Sequence, residues 1–257
     1  MVRIGISVLA SGSRGNSIYM EGPEGGIIVD AGLSARETLK RLETVGAGPA
    51  GIRAILLTHE HSDHVGGLRP LARKLKVPVC ATRDTLEAAG LPKDVAVEEL
   101  CAGVKFQRAG FEILPFSIPH DAIDPVGFIV GFGGLKIGIA TDLGYGTALV
   151  KERLKSCAAV VLESNHDEQM LMEGPYPWYL KQRVRGRQGH LSNDSSAGMI
   201  AGLAHSDLQL VVLAHLSEIN NAPDLAFGTA SEAMIGYGAD LEVASAHVPT
   251  RMIYLDE

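Results

Sequence analysis

The chain has 257 residues, of which 46% are hydrophobic and 21% charged, and its 23 Lys and Arg against 30 Asp and Glu give a net charge of −7. This balance is typical of a folded globular protein. It argues against a disordered chain and against a dedicated cationic binder of nucleic acids or membrane surfaces. Alpha/beta chains of about 250 residues commonly form one domain, so we expect a single domain over residues 1–257.

Cysteine usage and apolar spacing indicate the compartment. Cys80, Cys101 and Cys157 contain no close pair, which predicts neither a disulfide framework nor a thiolate zinc site. No apolar run approaches the roughly 18 residues that span a bilayer. The short segment Ile4–Ala10 is interrupted by a glycine and a serine, which favours a strand over a signal peptide. We therefore expect a cytoplasmic protein with no membrane partner.

Short apolar runs bounded by Gly, Pro, Asn and Asp recur along the chain and predict buried strands. The predicted strands are Ile4–Leu9, Ser17–Met20, Gly26–Val29, Ala54–Leu57, Val77–Ala81, Glu112–Ile118, Val126–Gly131, Leu135–Ala140, Ala158–Leu162, Leu208–Leu213 and Leu241–Ala244. The predicted helices are one that begins at the capping box Ser34–Glu37, and Pro70–Lys76, Arg83–Ala89, Glu168–Glu173, Trp178–Val184 and Ser195–Ala204. Since several strands are followed by polar turns that hold Asp, His or Glu, we expect an α/β fold with its functional groups at strand ends.

The strongest cluster of ionisable residues follows the predicted strand Ala54–Leu57. It contains His59, His61, Asp63 and His64 within six residues. Imidazoles bunched beside a buried strand repel one another when protonated, unless a cation uses their lone pairs. In an extended turn His59 and His61 point the same way, whereas a following helical turn directs Asp63 and His64 to a second point. The segment therefore predicts two metal ions rather than one.

Further donors come shortly after other predicted strands, and they are His120, Asp142 and His215. Each alone is weak evidence. Together they complete two sites and supply a carboxylate that bridges them. Nitrogen and oxygen donors suit Zn²⁺, Mn²⁺ or Fe²⁺, so the prediction is two divalent metal ions per chain, with Zn or Mn favoured and Fe as the alternative.

The motif His-x-His-x-Asp-His after a strand, followed by His120, Asp142 and His215, resembles the metallo-β-lactamase superfamily across nearly the whole chain. The resemblance implies a four-layer αββα sandwich with the metals at one edge between the sheets. The implied ligands are His59, His61 and His120 for metal one, Asp63, His64 and His215 for metal two, and Asp142 as the bridge. Asp30 matches the superfamily's first motif, and by analogy it is a structural carboxylate that orients the metal loop.

Smaller features resemble the WalJ/YycJ-like subfamily. They are the loop Ala10–Ser17 and the segments Glu163–Asp167, Gly189–Asn193 and Leu213–Asn221. The resemblance implies a compact bacterial nuclease-like hydrolase. The activity best linked to the group is 5′-to-3′ exonuclease activity on double-stranded DNA, with DNA favoured over RNA. Diiron reductases of the superfamily differ, since they place Glu where this chain has His61.

The loop between the first two predicted strands is rich in glycine and hydroxyl groups. Its backbone N–H groups, together with Ser11, Ser13, Arg14 and Asn16, suit a phosphate oxygen, and the alternative is a plain hairpin turn. The subfamily resemblance adds the substrate-binding candidates His166, His190 and Ser192.

The candidate catalytic residues follow from the chemistry of phosphodiester hydrolysis. Asp63 is expected to accept the proton of the attacking water, and Asp142 to position a hydroxide between the metals. His190 is expected to offset phosphate charge or to protonate the leaving oxygen.

The segment Lys181–Arg187 has four positive charges and no acid, in contrast to the acidic chain. It is a candidate rim for a phosphate backbone, and the alternative is a solvated helix face. Trp178 and Tyr179 are expected to pack at the start of a helix, with stacking on a nucleobase as the alternative.

Two other functions compete with a nuclease, because this fold supports many substrates. The acidic balance favours a small-molecule hydrolase acting on a lactone, a thioester or a cyclic phosphodiester. The second is a non-enzymatic regulatory or scaffolding protein that keeps its metals only for folding, which the complete ligand sets disfavour.

Overall fold

A computed structural model of the chain describes residues 3–256. The chain divides into two compact units, which we call unit 1 and unit 2. Unit 1 comprises residues 3–117, 122–135 and 245–256, and unit 2 comprises residues 118–121 and 136–244. The single domain expected over the whole chain stays a prediction.

Unit 1 is built on a seven-stranded sheet. The strands of unit 1 are, in chain order, β1 (Arg3–Ala10), β2 (Ser17–Gly22), β3 (Gly25–Val29), β4 (Ile52–Leu56), β5 (Val79–Ala81), β6 (Val97–Glu99), β7 (Phe106–Arg108), β8 (Phe111–Ser117), β9 (Val126–Phe132) and β14 (Ile253–Asp256). Its helices are α1 (Ala35–Thr44), α2 (Ser62–Val65), α3 (Leu68–Leu75) and α4 (Arg83–Ala89). The sheet has the order β14-β1-β2-β3-β4-β5-β6, antiparallel from β14 to β3 and parallel from β3 to β6. Strands β7, β8 and β9 form an antiparallel meander.

The core of unit 1 forms where the strands meet α1 and α3. Leu9, Ile28 and Ile55 of the strands are fully buried together with Leu42 of α1 and Leu71 of α3. Burying one such side chain contributes about 1.5–3 kcal/mol. This core therefore anchors the loops that leave the strand ends.

Unit 2 is built on parallel strands. They are β10 (Leu135–Ala140), β11 (Ala159–Glu163), β12 (Leu210–Ala214) and β13 (Asp240–Val243), paired in that order. The helices are α5 (Ala148–Leu154), α6 (Glu168–Glu173), α7 (Trp178–Val184), α8 (Asn193–Leu203) and α9 (Pro223–Ala233). Every residue of β11 and β12 is buried, as expected for parallel strands covered on both faces. Because parallel strands end at one edge, the residues after β10, β11 and β12 converge there.

The predicted strands and helices are confirmed, with ends shifted by up to two residues. Sequence analysis does not reveal β6, β7, β14, α5 and α9. Strand β6 is short and exposed throughout, so it has no apolar run. Helix α9 is rich in Ala, Ser and Gly, which weakens its apolar periodicity. Within residues 3–256 no helix combines the length and the apolar character needed to cross a membrane.

The helix predicted at the capping box begins as expected. The Ser34 hydroxyl accepts the backbone N–H of Glu37 at 3.3 Å. The Glu37 carboxylate accepts from Arg41 Nε at 2.9 Å. The serine therefore caps α1, whereas the glutamate stabilises its first turns through an ion pair.

Gly32 lies where three loops of unit 1 meet. Its N–H donates to Asn16 O at 3.0 Å, and Asn16 N–H donates to Asp63 O at 2.7 Å. A Cβ at position 32 would lie 1.7 Å from Asp63 O and 2.6 Å from Asn16 N. Only glycine therefore allows the loop after β3 to approach the segment that carries the predicted metal ligands.

We expect Gly32→Ala to lower the free energy of unfolding by at least about 2 kcal/mol, because backbone must move to make room for the methyl group. Urea denaturation monitored by circular dichroism measures this. The control is Gly198→Ala in α8, where a Cβ meets no atom within 4 Å. That change should raise stability by roughly 0.5–1 kcal/mol, since alanine is the better helix former. Equal midpoints for Gly32→Ala and wild type would contradict the close approach.

Candidate metal centre

The motif segment of unit 1 links β4 to α2. His59 and His61 lie in the loop, and Asp63 and His64 lie in α2. The ring of His59 lies 4.6 Å from that of His61 and 4.0 Å from that of His64, measured between centroids. The backbone N–H of Ala31 donates to His64 O at 2.8 Å, which ties the segment to the loop after β3. The structure thus brings the three motif histidines together.

Asp30 follows β3 directly, and its carboxylate is buried. Oδ1 accepts the Thr58 N–H at 2.9 Å, and Oδ2 accepts the Thr58 hydroxyl at 2.8 Å. Oδ2 also accepts Nδ1–H of His64 at 2.8 Å. Since the Thr58 hydroxyl donates its one proton to Asp30, it accepts from His59 Nδ1 at 3.0 Å. This hydrogen-bond network assigns the proton of both rings to Nδ1, so Nε2 is the ligand atom of His59 and His64.

Asn16 contacts the same segment from the loop between β1 and β2. Its Oδ1 accepts the Gly12 N–H at 2.8 Å. Its Nδ2 donates to Asp63 Oδ2 at 3.1 Å and to His64 Nε2 at 3.0 Å. The structure therefore places this predicted substrate-binding residue against two predicted metal ligands.

In unit 2 the predicted donors converge at the ends of the parallel strands. Asp142 follows β10, Glu163 ends β11, and His215 follows β12 directly. Together with His190, each offers a ligand atom, and these four atoms lie within 4.8 Å of one another. Three of the four are site residues predicted from the sequence, and Glu163 is the addition.

Glu163 is fully buried and joins the members of this cluster. Its Oε2 accepts the backbone N–H of Leu143 at 2.8 Å and that of Leu191 at 3.0 Å. Its Oε1 accepts Nδ1–H of His190 at 2.8 Å and of His215 at 2.9 Å. Burial raises the pKa of this carboxyl, but the charges and hydrogen bonds of the two histidines outweigh burial and lower the pKa to about 2. Glu163 is therefore an anion in the interior of unit 2.

The carboxylate in turn sets the protonation of His190. Burial lowers the pKa of His190, but the charge and hydrogen bond of Glu163 raise it by more, so it lies above its ordinary value. The side chain is 21% exposed, in contrast to the buried Glu163. A protonated and accessible imidazole suits a proton donor.

His120 reaches the same cluster from the loop after β8. Its Nδ1 donates to Gly189 O at 3.3 Å, which leaves Nε2 as the ligand atom. Burial lowers the pKa of His120 more than the charge of Asp142 raises it. The neutral imidazole favoured by this shift is the form that binds metals.

His166 and Ser192, two other predicted substrate-binding residues, are buried. The Ser192 hydroxyl accepts the Ser195 N–H at 3.2 Å and caps α8. Burial lowers the pKa of His166 to about 4, so its ring is neutral. Within the described residues its Nδ1 has no hydrogen-bond partner. The roles that the resemblance gives these two residues stay predictions.

Three predicted site residues have a left-handed backbone, which side chains other than glycine rarely adopt. The φ angles are 62° at Asp30, 56° at Asp142 and 58° at His215. Within residues 3–256 the other non-glycine residues of this kind are Lys76 and Ala109. The conformation costs roughly 1–2 kcal/mol per residue and persists where the surroundings enforce it, often at functional sites. The strained positions are therefore two predicted ligands, Asp142 and His215, and the predicted structural carboxylate Asp30.

The donor set fits divalent metal ions. His120 Nε2 lies 3.7 Å from Asp142 Oδ1, and His64 Nε2 lies 3.5 Å from Asp63 Oδ2. These separations are longer than good hydrogen bonds. They are close to the roughly 3.4 Å between two ligands that each lie about 2.1 Å from one tetrahedral ion. Neutral imidazole and carboxylate together suit Zn²⁺, Mn²⁺ or Fe²⁺.

The expectation that Trp178 and Tyr179 pack at the start of a helix is wrong. Trp178 is 58% exposed and Tyr179 is 72% exposed. Helix α7 instead buries Lys181 and Val184. Because only part of a short helix can face inward, Trp178 and Tyr179 at its start remain exposed.

The basic segment Lys181–Arg187 is not a uniformly solvated face. The Lys181 ammonium is buried and donates to a backbone carbonyl of α6 at 2.6 Å. Arg183 pairs with Asp121 at 2.6 Å between Nε and Oδ2. The guanidinium of Arg187 lies 4.4 Å from the ring centroid of Tyr145. These charges are therefore partly committed within the protein, and their contact with a phosphate backbone stays a prediction.

Sequence analysis missed Thr58 and Glu163 as site residues. Glu163 ends a strand that is otherwise wholly apolar, and that placement is the signal which could have identified it. Thr58 gives no comparable signal, because its role depends on the approach of Asp30 from another strand.

We expect Glu163→Gln to destabilise the metal-free protein in a pH-dependent way. The folded pKa is about 2 against an ordinary 4.5, so the carboxylate contributes stability above pH 4.5 that is lost as the pH falls towards 2. The unfolding free energy of wild type should exceed that of the variant by about 3 kcal/mol near neutral pH, and by progressively less in acid. Urea titrations at a series of pH values measure the difference. Glu87→Gln, in an exposed ion pair of α4, is the control and should show little effect. A difference that does not change with pH would contradict the ionised state of Glu163.

Comparison with known proteins places these features in a family. A family model described as a beta-lactamase superfamily domain matches residues 26–216. The chain is 34% identical to Exodeoxyribonuclease YycJ of Bacillus anthracis, over 97% of this chain and 98% of that protein. It is also 34% identical to Exodeoxyribonuclease WalJ of Streptococcus pneumoniae strain ATCC BAA-255 / R6, over 92% of both chains.

Solved structures agree on the fold. The metallo-β-lactamase fold protein YhfI of Bacillus subtilis matches with a TM-score of 0.72 at 13% identity, covering 96% of this chain and 99% of its own. The Zn²⁺-bound PqqB of Methylobacterium extorquens matches with a TM-score of 0.72 at 19% identity, covering 98% and 100%. The predicted αββα metallo-β-lactamase fold is thereby confirmed. The chain belongs to the metallo-β-lactamase superfamily of hydrolases, in the group that includes YycJ and WalJ.

Proposed function

We propose that this protein is a metal-dependent exodeoxyribonuclease that digests double-stranded DNA in the 5′-to-3′ direction and uses two divalent metal ions. The observation that carries the proposal is the 34% identity, over 97% of the chain, to a protein named as an exodeoxyribonuclease. The donor chemistry of both units supports it, since imidazoles and carboxylates are oriented as ligands in each.

The proposed ligands are the seven predicted from the sequence. They are His59, His61, Asp63, His64, His120, Asp142 and His215. Within unit 1, Asp30 and Thr58 support this role because they direct the Nε2 lone pairs of two rings away from the carboxylate. Within unit 2, Glu163 does the same for His215. Zn²⁺, Mn²⁺ and Fe²⁺ all accept such a set.

Divalent ions in such a site lower the pKa of bound water and stabilise the charge on phosphate oxygens. In our proposal Asp63 accepts the proton of the attacking water, and Asp142 orients the water. A protonated His190 donates Nδ1–H to Glu163 and keeps Nε2–H for the leaving oxygen. This assignment uses the raised pKa of His190, which favours the protonated form.

The loop between β1 and β2 is the proposed phosphate contact. Gly12 and Gly15 have φ angles of 120° and 146° and shape the loop, while the backbone N–H groups of both glycines donate to acceptors within it. Ser13 and Arg14 are exposed and suit a substrate phosphate, whereas Ser11 is buried at the base of the loop.

A small-molecule hydrolase is the second candidate, and the net charge of −7 favours it. A protein that holds a duplex gains affinity by gathering cations against phosphates, which an acidic chain does poorly. A lactone, a thioester or a cyclic phosphodiester needs no such surface.

We expect close to two metal ions per chain after incubation with Zn²⁺ or Mn²⁺ and removal of excess metal. Elemental analysis measures the count. His59→Ala and Asp142→Ala should lower the metal content and the hydrolytic rate together, whereas His247→Ala, an exposed histidine outside both donor clusters, should change neither. One ion or fewer per chain at full activity would contradict the dinuclear site.

We expect linear duplex DNA to be degraded from its 5′ ends. Phosphorothioate linkages at the 5′ termini should block digestion, whereas the same linkages at the 3′ termini should not. Gel analysis of end-labelled duplexes measures this, alongside chromogenic lactone, thioester and β-lactam substrates. Faster turnover of one of those small substrates than of DNA would favour the second candidate, and digestion from the 3′ end would overturn the polarity.

A further inference from the structure

Helix α7 presents a groove whose lining residues are separate from the predicted metal ligands. Trp178, Lys181, Gln182 and Arg185 recur at i, i+3, i+4 and i+7, so they lie along one face of α7 and its C-terminal residue. With Met172 of α6 they line a cavity of about 400 Å³. This volume is within the range of about 300–1,000 Å³ that is usual for ligand pockets.

The groove combines an aromatic surface with cationic side chains. The Trp178 indole is 58% exposed, although it is the sole tryptophan of the chain and is costly to leave in water. Arg185 Nη1 lies 3.7 Å from Met172 Sδ, and Nη2 lies 3.8 Å from Glu168 Oε2. These are long contacts of a guanidinium that is 45% exposed, so they hold it weakly. Arg185 is therefore available to an incoming anion.

We infer that this groove binds unpaired nucleotides of a nucleic-acid strand. In this arrangement the Trp178 indole stacks on a base, the Arg185 guanidinium contacts a phosphate, and the exposed Gln182 amide lies beside the base edge. Planar aromatic surfaces interleaved with cations are the usual way in which proteins hold single strands. The Lys181 ammonium in the wall of the groove disfavours an apolar ligand. This inference rests on the proposed function, because it assumes a polynucleotide substrate.

The position of α7 connects the groove to the cluster in unit 2. The backbone N–H of His190 donates to Val184 O, the last residue of α7, at 2.8 Å. A helix of seven residues is about 10 Å long at roughly 1.5 Å per residue. That length corresponds to about three nucleotides at roughly 3.4 Å each. A strand with its reacting phosphate at His190 can therefore reach Trp178.

Binding of a phosphorothioate hexathymidylate to the metal-loaded enzyme tests the groove without hydrolysis. Since Trp178 is the sole tryptophan, the intrinsic fluorescence of wild type reports directly on stacking and should be quenched as the oligomer binds. Anisotropy of a fluorescein-labelled oligomer should show affinity lowered about 5- to 100-fold in Trp178→Ala. Trp178→Phe, which keeps a stacking face, should lose less. A thermal melt checks that the variants are folded.

Matched controls separate stacking from general effects. Tyr179→Ala removes a neighbouring aromatic side chain that does not line the groove, and it should change affinity less than twofold. Arg185→Gln should weaken binding and its salt dependence, whereas Lys151→Gln, an exposed cation of α5, should not. Unchanged fluorescence of wild type on binding, or equal losses in Trp178→Ala and Tyr179→Ala, would overturn the inference. Equal affinity of a blunt duplex, with equal quenching, would also overturn it.

The same measurements distinguish failure of the groove from failure of the proposed function. Digestion of duplex DNA without any fluorescence change on binding would overturn the groove alone. Quenching by the oligomer in an enzyme that cleaves no DNA would support the groove and overturn the proposed nuclease.

Discussion

Two buried carboxylates orient four imidazoles, those of His59 and His64 in unit 1 and those of His190 and His215 in unit 2. A carboxylate taken out of water costs several kcal/mol unless its oxygens are filled with donors. Asp30 obtains them from Thr58 and His64, and Glu163 obtains them from two backbone N–H groups and two histidines. The hydrogen bonds that make burial tolerable are the ones that fix each ring and its proton on Nδ1. The orientation of the metal-donor atoms is thus a consequence of supplying hydrogen bonds to the buried carboxylates.

Burial of the apolar strands offsets the free-energy cost of the turns that carry these polar residues. Asp142 and His215 have left-handed backbones at the turns after β10 and β12, and each costs roughly 1–2 kcal/mol. The strands before them are almost wholly buried, and each buried aliphatic side chain contributes about as much in the opposite direction. The sharp turn lets a polar side chain leave a buried strand at its last residues and face the sheet edge. In unit 1 the loop after β3 instead contains Gly32, because the backbone oxygen of Asp63 approaches so closely that no side chain fits at that position.

Much of the fold and most of the candidate donors could be predicted from sequence, for an identifiable reason. Strands such as β11 and β12 are continuous apolar runs, and His120, Asp142 and His215 stand out as ionisable residues just beyond such runs. Thr58 could not be predicted, because its importance arises from a contact with a residue 28 positions away.

The solvent exposure of individual side chains could not be predicted from the sequence either. Tryptophan is usually a buried residue. Only the packing of α7 determines that Lys181 and Val184 are buried while Trp178 is exposed. The sequence of its loop predicts Asn16 as a phosphate contact. Its amide is directed to Asp63 and His64 by the backbone bonds that join the two loops.

An acidic chain that acts on DNA must obtain its affinity for DNA from contacts of a few side chains, because its net charge repels the phosphates. A net charge of −7 disfavours non-specific association with duplex phosphates, whose strength depends on the number of cations brought to them. In the basic segment of α7, Arg183 already pairs with Asp121, and Lys181 is buried, so fewer charges remain for a backbone than the sequence suggests. Stacking on an exposed indole does not depend on net charge and is little screened by salt. Under the proposed function, weak attraction to the duplex interior together with stacking of unpaired bases favours strand ends, where base pairs open most readily. Acidity, which argues against a general DNA binder, is therefore compatible with an enzyme that acts at ends.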